Sequence, residues 1–306
     1  MLSSDDLLAA ERPPRSIVIL GAGAVGVEFA SCYADYGCDV TLVEMAPRVL
    51  PLEDRDVSAG LARLMSARGI AIHTGATALP ESVTAAEGGV HLTVRAGDRD
   101  QDLSAEALLV AIGRAPLTEG LGLDVAGVKL DRGFIAVDER MRTSAPGIYA
   151  VGDVNGGLLL AHVAAAEGAL AADTIAGVPS LPLPYGRLPR ATYCRPQVAS
   201  IGLTEVEARE RGHAVATARA HLRVNGKALI AGEPDGFVKV VVDTATSDVL
   251  GVHILGAGAT ELIAELALGQ TLEAAVSELA ATVHPHPTLS EAIGEAAHRA
   301  LQRGGA

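Results

Sequence analysis

The chain has 306 residues and a formal charge of −13, with 49% hydrophobic and 20% charged residues, so it reads as a globular protein of two or three domains. That acid balance argues against nucleic acid as a partner, because nothing in the sequence supplies the basic stripe that phosphate neutralisation needs. Its longest uncharged runs, such as residues 154–166, fall well short of the roughly 20 residues needed to cross a bilayer. Three scattered cysteines make no disulfide framework, and the opening Met-Leu-Ser-Ser-Asp-Asp lacks the basic-then-apolar order of a secretory signal. A cytoplasmic protein with neither nucleic acid nor membrane as partner is expected.

In chain order, Pro13 and Pro14 end an ill-defined lead-in, residues 1–13. Ile-Val-Ile-Leu at 17–20 predicts a strand buried on both faces. Gly21-Ala22-Gly23-Ala24-Val25-Gly26 follows at once, then a helix over 27–36 stopped by Gly37. A second strand is expected at 40–43, a helix capped by Asp54 and running to 67, and a third strand at 70–72. This β-α-β-α-β order opens a parallel, doubly wound sheet. Alternating residues from 90 to 103 predict an antiparallel hairpin, and 107–112 a buried closing strand. Strand-like pieces at 134–137 and 147–151 precede Gly152-Asp153 and an alanine-rich helix over about 161–175. Prolines crowd residues 179–189, the best linker in the chain. Beyond it, strands at 198–201, 237–242 and 249–255 and helices at 205–211, 259–268 and 288–302 describe an α+β domain.

The G-x-G-x-x-G run gains meaning from its context, a buried strand before it and a helix after it. Gly21 permits the tight turn, Gly23 lets backbone approach a pyrophosphate, and Gly26 lets helix pack on strand. The helix N-terminus offers free N–H groups and a positive dipole end to phosphates. Glu44, 18 residues past Gly26, could accept from both ribose hydroxyls and would repel a 2′-phosphate, so NAD is expected in preference to NADP. The first segment is therefore a Rossmann-type NAD-binding domain in an α/β chain.

Two further places carry chemistry. Asp153, directly after an expected strand, is either a turn residue or a ligand contact. His284-Pro-His286-Pro-Thr-Leu-Ser-Glu291 admits three readings. Thr288 and Glu291 fit a capping box; the paired histidines fit part of a metal site, although no nearby Cys or Asp completes it; or a carboxylate orients an imidazole as general base. Spacing alone leaves all three open, and no metal is expected.

Five motifs occur in one order: residues 16–44, 111–116 (Ala-Ile-Gly-Arg-Ala-Pro), 147–153 with 159–168, 196–205 and 286–291. Together they resemble the flavoprotein disulfide reductase family, and within it the dihydrolipoyl dehydrogenases, over essentially the whole chain. The resemblance implies an NAD domain (14–114), a central segment (115–183) belonging to a split FAD domain, and an α+β dimerisation domain (184–306). It places Gly21, Ala22, Gly23, Ala24, Val25, Gly26, Val27 and Glu28 along the dinucleotide, with Glu28 near the nicotinamide and Glu44 on the adenosine ribose. Gly113 would lie beside that site, and Ala78 would present backbone near adenine. Asp153 would bind the ribityl chain of FAD, and Leu159, Leu160, Ala161 and His162 would bring a helix N-terminus to the isoalloxazine. His286, oriented by Glu291, would be the acid/base that serves a dithiol across a homodimer interface.

The chain departs from the family pattern in one respect. It contains neither a second glycine fingerprint for FAD nor the family's C-x-x-x-x-C redox pair. Cys32 and Cys38 are six residues apart; helical rise of about 1.5 Å per residue separates them by about 9 Å, beyond the roughly 7 Å a disulfide tolerates. Cys194 stands alone, so all three are expected to be structural. The chain thus reads as the carboxyl-terminal two-thirds of such an enzyme, with an incomplete FAD site. A separate amino-terminal FAD/disulfide polypeptide, or a 2-oxo acid dehydrogenase complex, would be its partner. Two other readings stand beside it: a catalytically incomplete NAD-binding and dimerisation fragment, and a flavoprotein of the soluble transhydrogenase type.

Overall fold

Ile17, Val18 and Ile19 are each buried because their strand is covered on both faces: Ile17 and Ile19 join one apolar cluster and Val18 another. The computed structural model describes residues 1–86 and 88–304. It divides into two compact units, residues 1–113 with 189–306, and residues 114–188.

In the first unit, β1 (Ser16–Leu20), β2 (Asp39–Glu44), β3 (Ala71–Thr74) and a later strand, β8 (Ala107–Val110), form an all-parallel sheet in the order β3-β2-β1-β8. Helices α2 (Ala24–Asp35) and α3 (Arg55–Ala67) supply apolar side chains to one face. The other face is closed by antiparallel strands β4 (Ala76–Ala78), β5 (Thr84–Ala86), β6 (Gly89–Ala96) and β7 (Arg99–Ala105). The expected hairpin is β6–β7, paired from Val90–Ala105 to Ala96–Arg99.

Several local expectations need correction. The lead-in is ordered: it forms α1 (Ser4–Leu8), closed by a Ser3–Asp6 capping box, and Leu2 bridges Leu109 at the open edge of β8. Leu7 is buried there, an apolar anchor that two prolines downstream obscured. Helix α2 starts three residues earlier than expected, because Gly23 itself occupies the N-cap position.

The third segment builds a five-stranded antiparallel sheet. Its strands β11 (Arg190–Thr192), β12 (Val198–Gly202), β13 (Val215–His221), β14 (Phe237–Asp243) and β15 (Val249–Leu255) lie in the order β11-β12-β15-β14-β13. Short helices α5 (Glu205–Glu210) and α6 (Gly226–Ala231) fill its connections, and α7 (Ala259–Thr271), α8 (Val276–Ala281) and α9 (Glu291–Gly304) follow. The last three bury Ile263, Leu266, Leu279 and Ile293 with the sheet's Val240 and Val252. Helix α9 starts at Glu291 rather than Thr288. Phe237 and Leu255 of this sheet share an apolar cluster with Leu61 of α3. Lys239, only 1% exposed, inserts its ammonium between Asp54, Asp56 and Glu205 at 2.6–3.0 Å. The first and third segments therefore pack as one body.

The second unit contains a two-residue hairpin, β9 (Leu130–Asp131) with β10 (Phe134–Ile135), and helix α4 (Ala161–Ala176). Residues 147–151 are not a strand; only an isolated Arg142–Tyr149 bridge forms. Two small clusters, around Val128 and Ile135 and around Met141 and Leu170, make its core.

Candidate functional site

The glycine loop runs from the end of β1 into α2, and its glycines are required for separable reasons. Gly21 has φ +100°, and a Cβ there would lie 2.3 Å from the Ala111 carbonyl oxygen. A Cβ on Gly26 would lie 1.8 Å from the Gly21 oxygen. At Gly23 a Cβ would meet nothing within 4 Å, so its backbone faces open space at the mouth of a helix that no side chain caps. That combination suits a pyrophosphate, whose oxygens can approach the bare backbone and free N–H groups.

Glu44 ends β2 beside this loop, as its spacing predicts. Its Oε2 accepts the Ala22 N–H at 2.6 Å and its Oε1 accepts the Ala46 N–H at 2.7 Å. Glu28, on the first turns of α2, accepts the Tyr193 N–H at 2.8 Å. Burial pushes the Glu28 pKa up, and that hydrogen bond only partly offsets the shift. Ala24, Val25 and Val27 lie on α2, Gly113 follows β8 with φ +139°, and Ala78 ends β4 opposite Val94.

In the second unit, Asp153 lies in a short 3-10 turn, Gly152–Asn155, and pairs with Arg114 at 2.8 Å. Helix α4 begins at Ala161 after Leu160, with no side-chain cap on its first turn. Leu159, Leu160, Ala161 and His162 therefore form a helix N-terminus of the kind that can face an electron-rich group. Glu167, which spacing arguments passed over, orders this corner. It is 1% exposed and accepts from Gly152 N–H at 2.7 Å, from Asn155 at 2.9 Å and from the Tyr185 hydroxyl. A carboxylate set between Ala166 and Gly168 in an alanine-rich helix was the available signal. Burial, then the Glu167 contact, drives the Tyr185 pKa upward.

The third place is the segment before α9. His286 Nδ1 lies 2.8 Å from Glu291 Oε1, while Glu291 Oε2 accepts the Thr288 N–H at 2.8 Å. The capping and orienting readings thus describe one carboxylate. The capping box is only half made, because Thr288 Oγ1 donates to the Pro285 carbonyl at 2.7 Å and contacts Ser290. The Thr288 N–H first, and then His286, hold the Glu291 pKa below the usual carboxylate range. An ionised Glu291 takes the Nδ1 proton as hydrogen-bond partner, leaving Nε2 as the basic nitrogen. The His286 side chain is 77% exposed, so that nitrogen is open to a reactant. His284 turns elsewhere and meets Glu265 at 2.9 Å. Among the described residues no three His, Cys, Asp or Glu side chains gather as a metal site.

The cysteines are free. Burial, with Glu28 nearby, pushes the Cys194 thiol up to about 12, and burial also raises Cys38. Neither is suited to thiolate chemistry at neutral pH. Among the described residues no helix is long and apolar enough to cross a membrane.

Comparison with known proteins agrees with this layout. The family profile described as pyridine nucleotide-disulphide oxidoreductase matches residues 1–168, and its dimerisation domain matches residues 188–297. The dihydrolipoyl dehydrogenase of Chlorobaculum tepidum is 46% identical over 303 residues, covering 99% of this chain and 64% of the relative. That of Bacillus subtilis is 44% identical over 297 residues, covering 97% of this chain and 63% of the relative. The structure of LpdA from Mycobacterium tuberculosis superposes with a TM-score of 0.89 at 34% identity, covering 97% of this chain and 64% of that one. The chain thus spans less than two thirds of the length of these relatives. With both profiles matching in order around the glycine loop and the His286–Glu291 contact, the chain belongs to the pyridine nucleotide-disulphide oxidoreductase family.

Proposed function

We propose that this chain carries the NAD-binding and dimerisation parts, and some of the FAD-binding part, of a dihydrolipoyl dehydrogenase-type enzyme. In that reading residues 14–114 bind NAD, 115–183 belong to the FAD domain and 184–306 dimerise. NAD and FAD, when bound, supply the hydride and electron chemistry. The chain's own residues bind, orient and move a proton. Gly21, Gly23 and Gly26 with the N-terminus of α2 hold the pyrophosphate, Glu44 the adenosine ribose, and Glu28 the nicotinamide end; Ala78 and Gly113 border the site. Asp153 and the start of α4, residues 159–162, hold the ribityl and ring side of FAD, with Glu167 fixing their corner. His286 Nε2 takes a proton from a dithiol sulfur, and ionised Glu291 stabilises the resulting imidazolium.

The His286–Glu291 contact is the observation that carries the reading, supported by identity of 44–46% to dihydrolipoyl dehydrogenases. Cys32, Cys38 and Cys194 do not form the dithiol pair, so the reacting sulfurs come from residues outside this chain. The proposed setting is a cytoplasmic homodimer, with the FAD fingerprint and redox disulfide supplied from outside residues 1–306, or with a 2-oxo acid dehydrogenase complex as partner. The test is co-expression with the amino-terminal FAD segment of a homologous dihydrolipoyl dehydrogenase. NADH-driven reduction of lipoamide by the yellow complex supports the reading; a folded, flavin-loaded complex that reduces no lipoamide overturns it.

A further inference from the structure

The positive charge of this acidic chain is unevenly spread. Between α3 and the β13–β14 edge lies a cleft of about 460 Å³, lined by Arg63, Arg219, His221, Arg223 and Phe237. A second recess of about 330 Å³ shares Arg219 and His221 with it and adds Arg299 and Arg303. Three guanidiniums thus line the cleft and two more line the recess that shares Arg219 with it, in a chain of net charge −13. None of these residues belongs to the glycine loop, the Asp153 corner or the His286 segment.

Nearby carboxylates neutralise only part of that charge. Asp56 is shared between Arg219 and the buried Lys239, and Glu295 pairs with Arg299. Arg303 donates to the Thr217 carbonyl and Arg299 also to that of Arg219. Arg63 and Arg223 are exposed and form no ion pair among the described residues, leaving Asp235 as the other carboxylate lining the cleft. Arg219 also lies over the Phe237 ring, 5.6 Å from its centroid, which fixes its position.

We propose that this cleft binds a small polyphosphate: two or more linked phosphate groups, free or carried on a nucleoside. Guanidinium forks match phosphate oxygens in bidentate geometry, and several of them here can face one compact ligand. Compactness matters, because an extended polyanion would also have to lie along the acidic remainder of the surface. The state of His221 is consistent with an uncompensated positive field. Burial lowers its pKa first, then Arg223, Arg219 and Arg299 lower it further, against a smaller opposing effect of Glu295. A bound polyanion would reverse the electrostatic part of that shift, so protonation of His221 would add a donor as the ligand binds.

The test is calorimetric titration of the full chain with pyrophosphate and, separately, with ATP at low salt. The His221 ring proton, assigned with His221→Gln, is followed by NMR in parallel. The expected result is saturable binding that raises the His221 titration midpoint and weakens at least tenfold in the folded Arg63→Gln/Arg223→Gln double variant. Equal affinities would identify the phosphate chain alone as the ligand, and tighter ATP binding would identify a nucleotide. No binding at millimolar ligand would overturn the proposal. So would binding that is undiminished in the double variant and leaves His221 unmoved, which would belong to the glycine loop, or displacement of both ligands by a short RNA at lower concentration.

Discussion

Glu44 ties β2 to the glycine loop: its Oε2 accepts the Ala22 N–H at 2.6 Å while its Oε1 holds the Ala46 N–H at 2.7 Å. The carboxylate is thereby fixed beside the glycine loop, where the proposed function puts the adenosine ribose. NADH is predicted to bind more tightly than NADPH, whose 2′-phosphate would face this negative charge. Hydrogen bonds to a charged group contribute about 1.5–3 kcal/mol, so Glu44→Ala should weaken NADH by a factor of about ten to a hundred. Titration of NADH fluorescence measures both; NADPH binding as tightly as NADH would contradict the assignment.

The buried Lys239 cluster is predicted to contribute to the stability of the first unit. Removing one partner of a buried ion pair costs about 3–5 kcal/mol, so Lys239→Ala, which leaves the buried Asp54 without a cation while Glu205 keeps Arg209, should lower the urea midpoint strongly. Replacement of such a pair by well-packed apolar groups is often neutral, so Lys239→Met combined with Asp54→Leu should recover much of the loss. A Lys239→Ala midpoint unchanged from the parent would show that the cluster contributes nothing.

The same region predicts acid sensitivity. Burial holds the His253 pKa below its ordinary value, so its contribution to stability is present above the unfolded value of about 6.5 and is lost as pH falls below it. The Lys239 hydrogen bond holds Glu205 low, and that contribution is lost later, as pH falls below about 4. Denaturant midpoints should therefore decline in two stages, between pH 7 and 5 and again toward pH 3. A midpoint flat from pH 7 to 5 would show that the His253 contribution is absent.

Leu268 and Leu272, on and just past α7, and Val283 are 61%, 70% and 93% exposed, within the segment matched by the family's dimerisation domain. Light scattering should report a dimer at tens of micromolar, and Leu268→Glu with Val283→Glu should shift it toward monomer. A parent chain that stays monomeric would contradict a self-sufficient dimer surface.

The parallel β-α-β start and the hairpin were legible because their signals are local: apolar runs, alternation and glycine stops. Strand β13 was not, since Val-Ala-Thr-Ala-Arg-Ala-His carries few large apolar residues and is held by its register with β14. Residues 147–151 look like a strand but find no ladder partner beyond one bridge. At the candidate site, the place of Glu44 followed from spacing, whereas spacing left the part played by Glu291 open and only the family resemblance paired it with His286. Glu167, Arg114 and Tyr193 could not be read from spacing, because their partners lie 12 to 165 residues away in sequence. Lys239 had only the faint signal of one cation within a valine-rich strand.

In the proposed function His286, oriented by Glu291, is the acid/base for a dithiol. Its most direct test is His286→Gln in the flavin-loaded complex, assayed for NADH-driven lipoamide reduction and for NADH-driven dye reduction. Lipoamide reduction should fall at least a hundredfold, in line with the roughly 10²–10⁴-fold contribution of general acid–base catalysis, while dye reduction is retained. Lipoamide turnover that survives the substitution, or a loss shared equally by both assays, would contradict it.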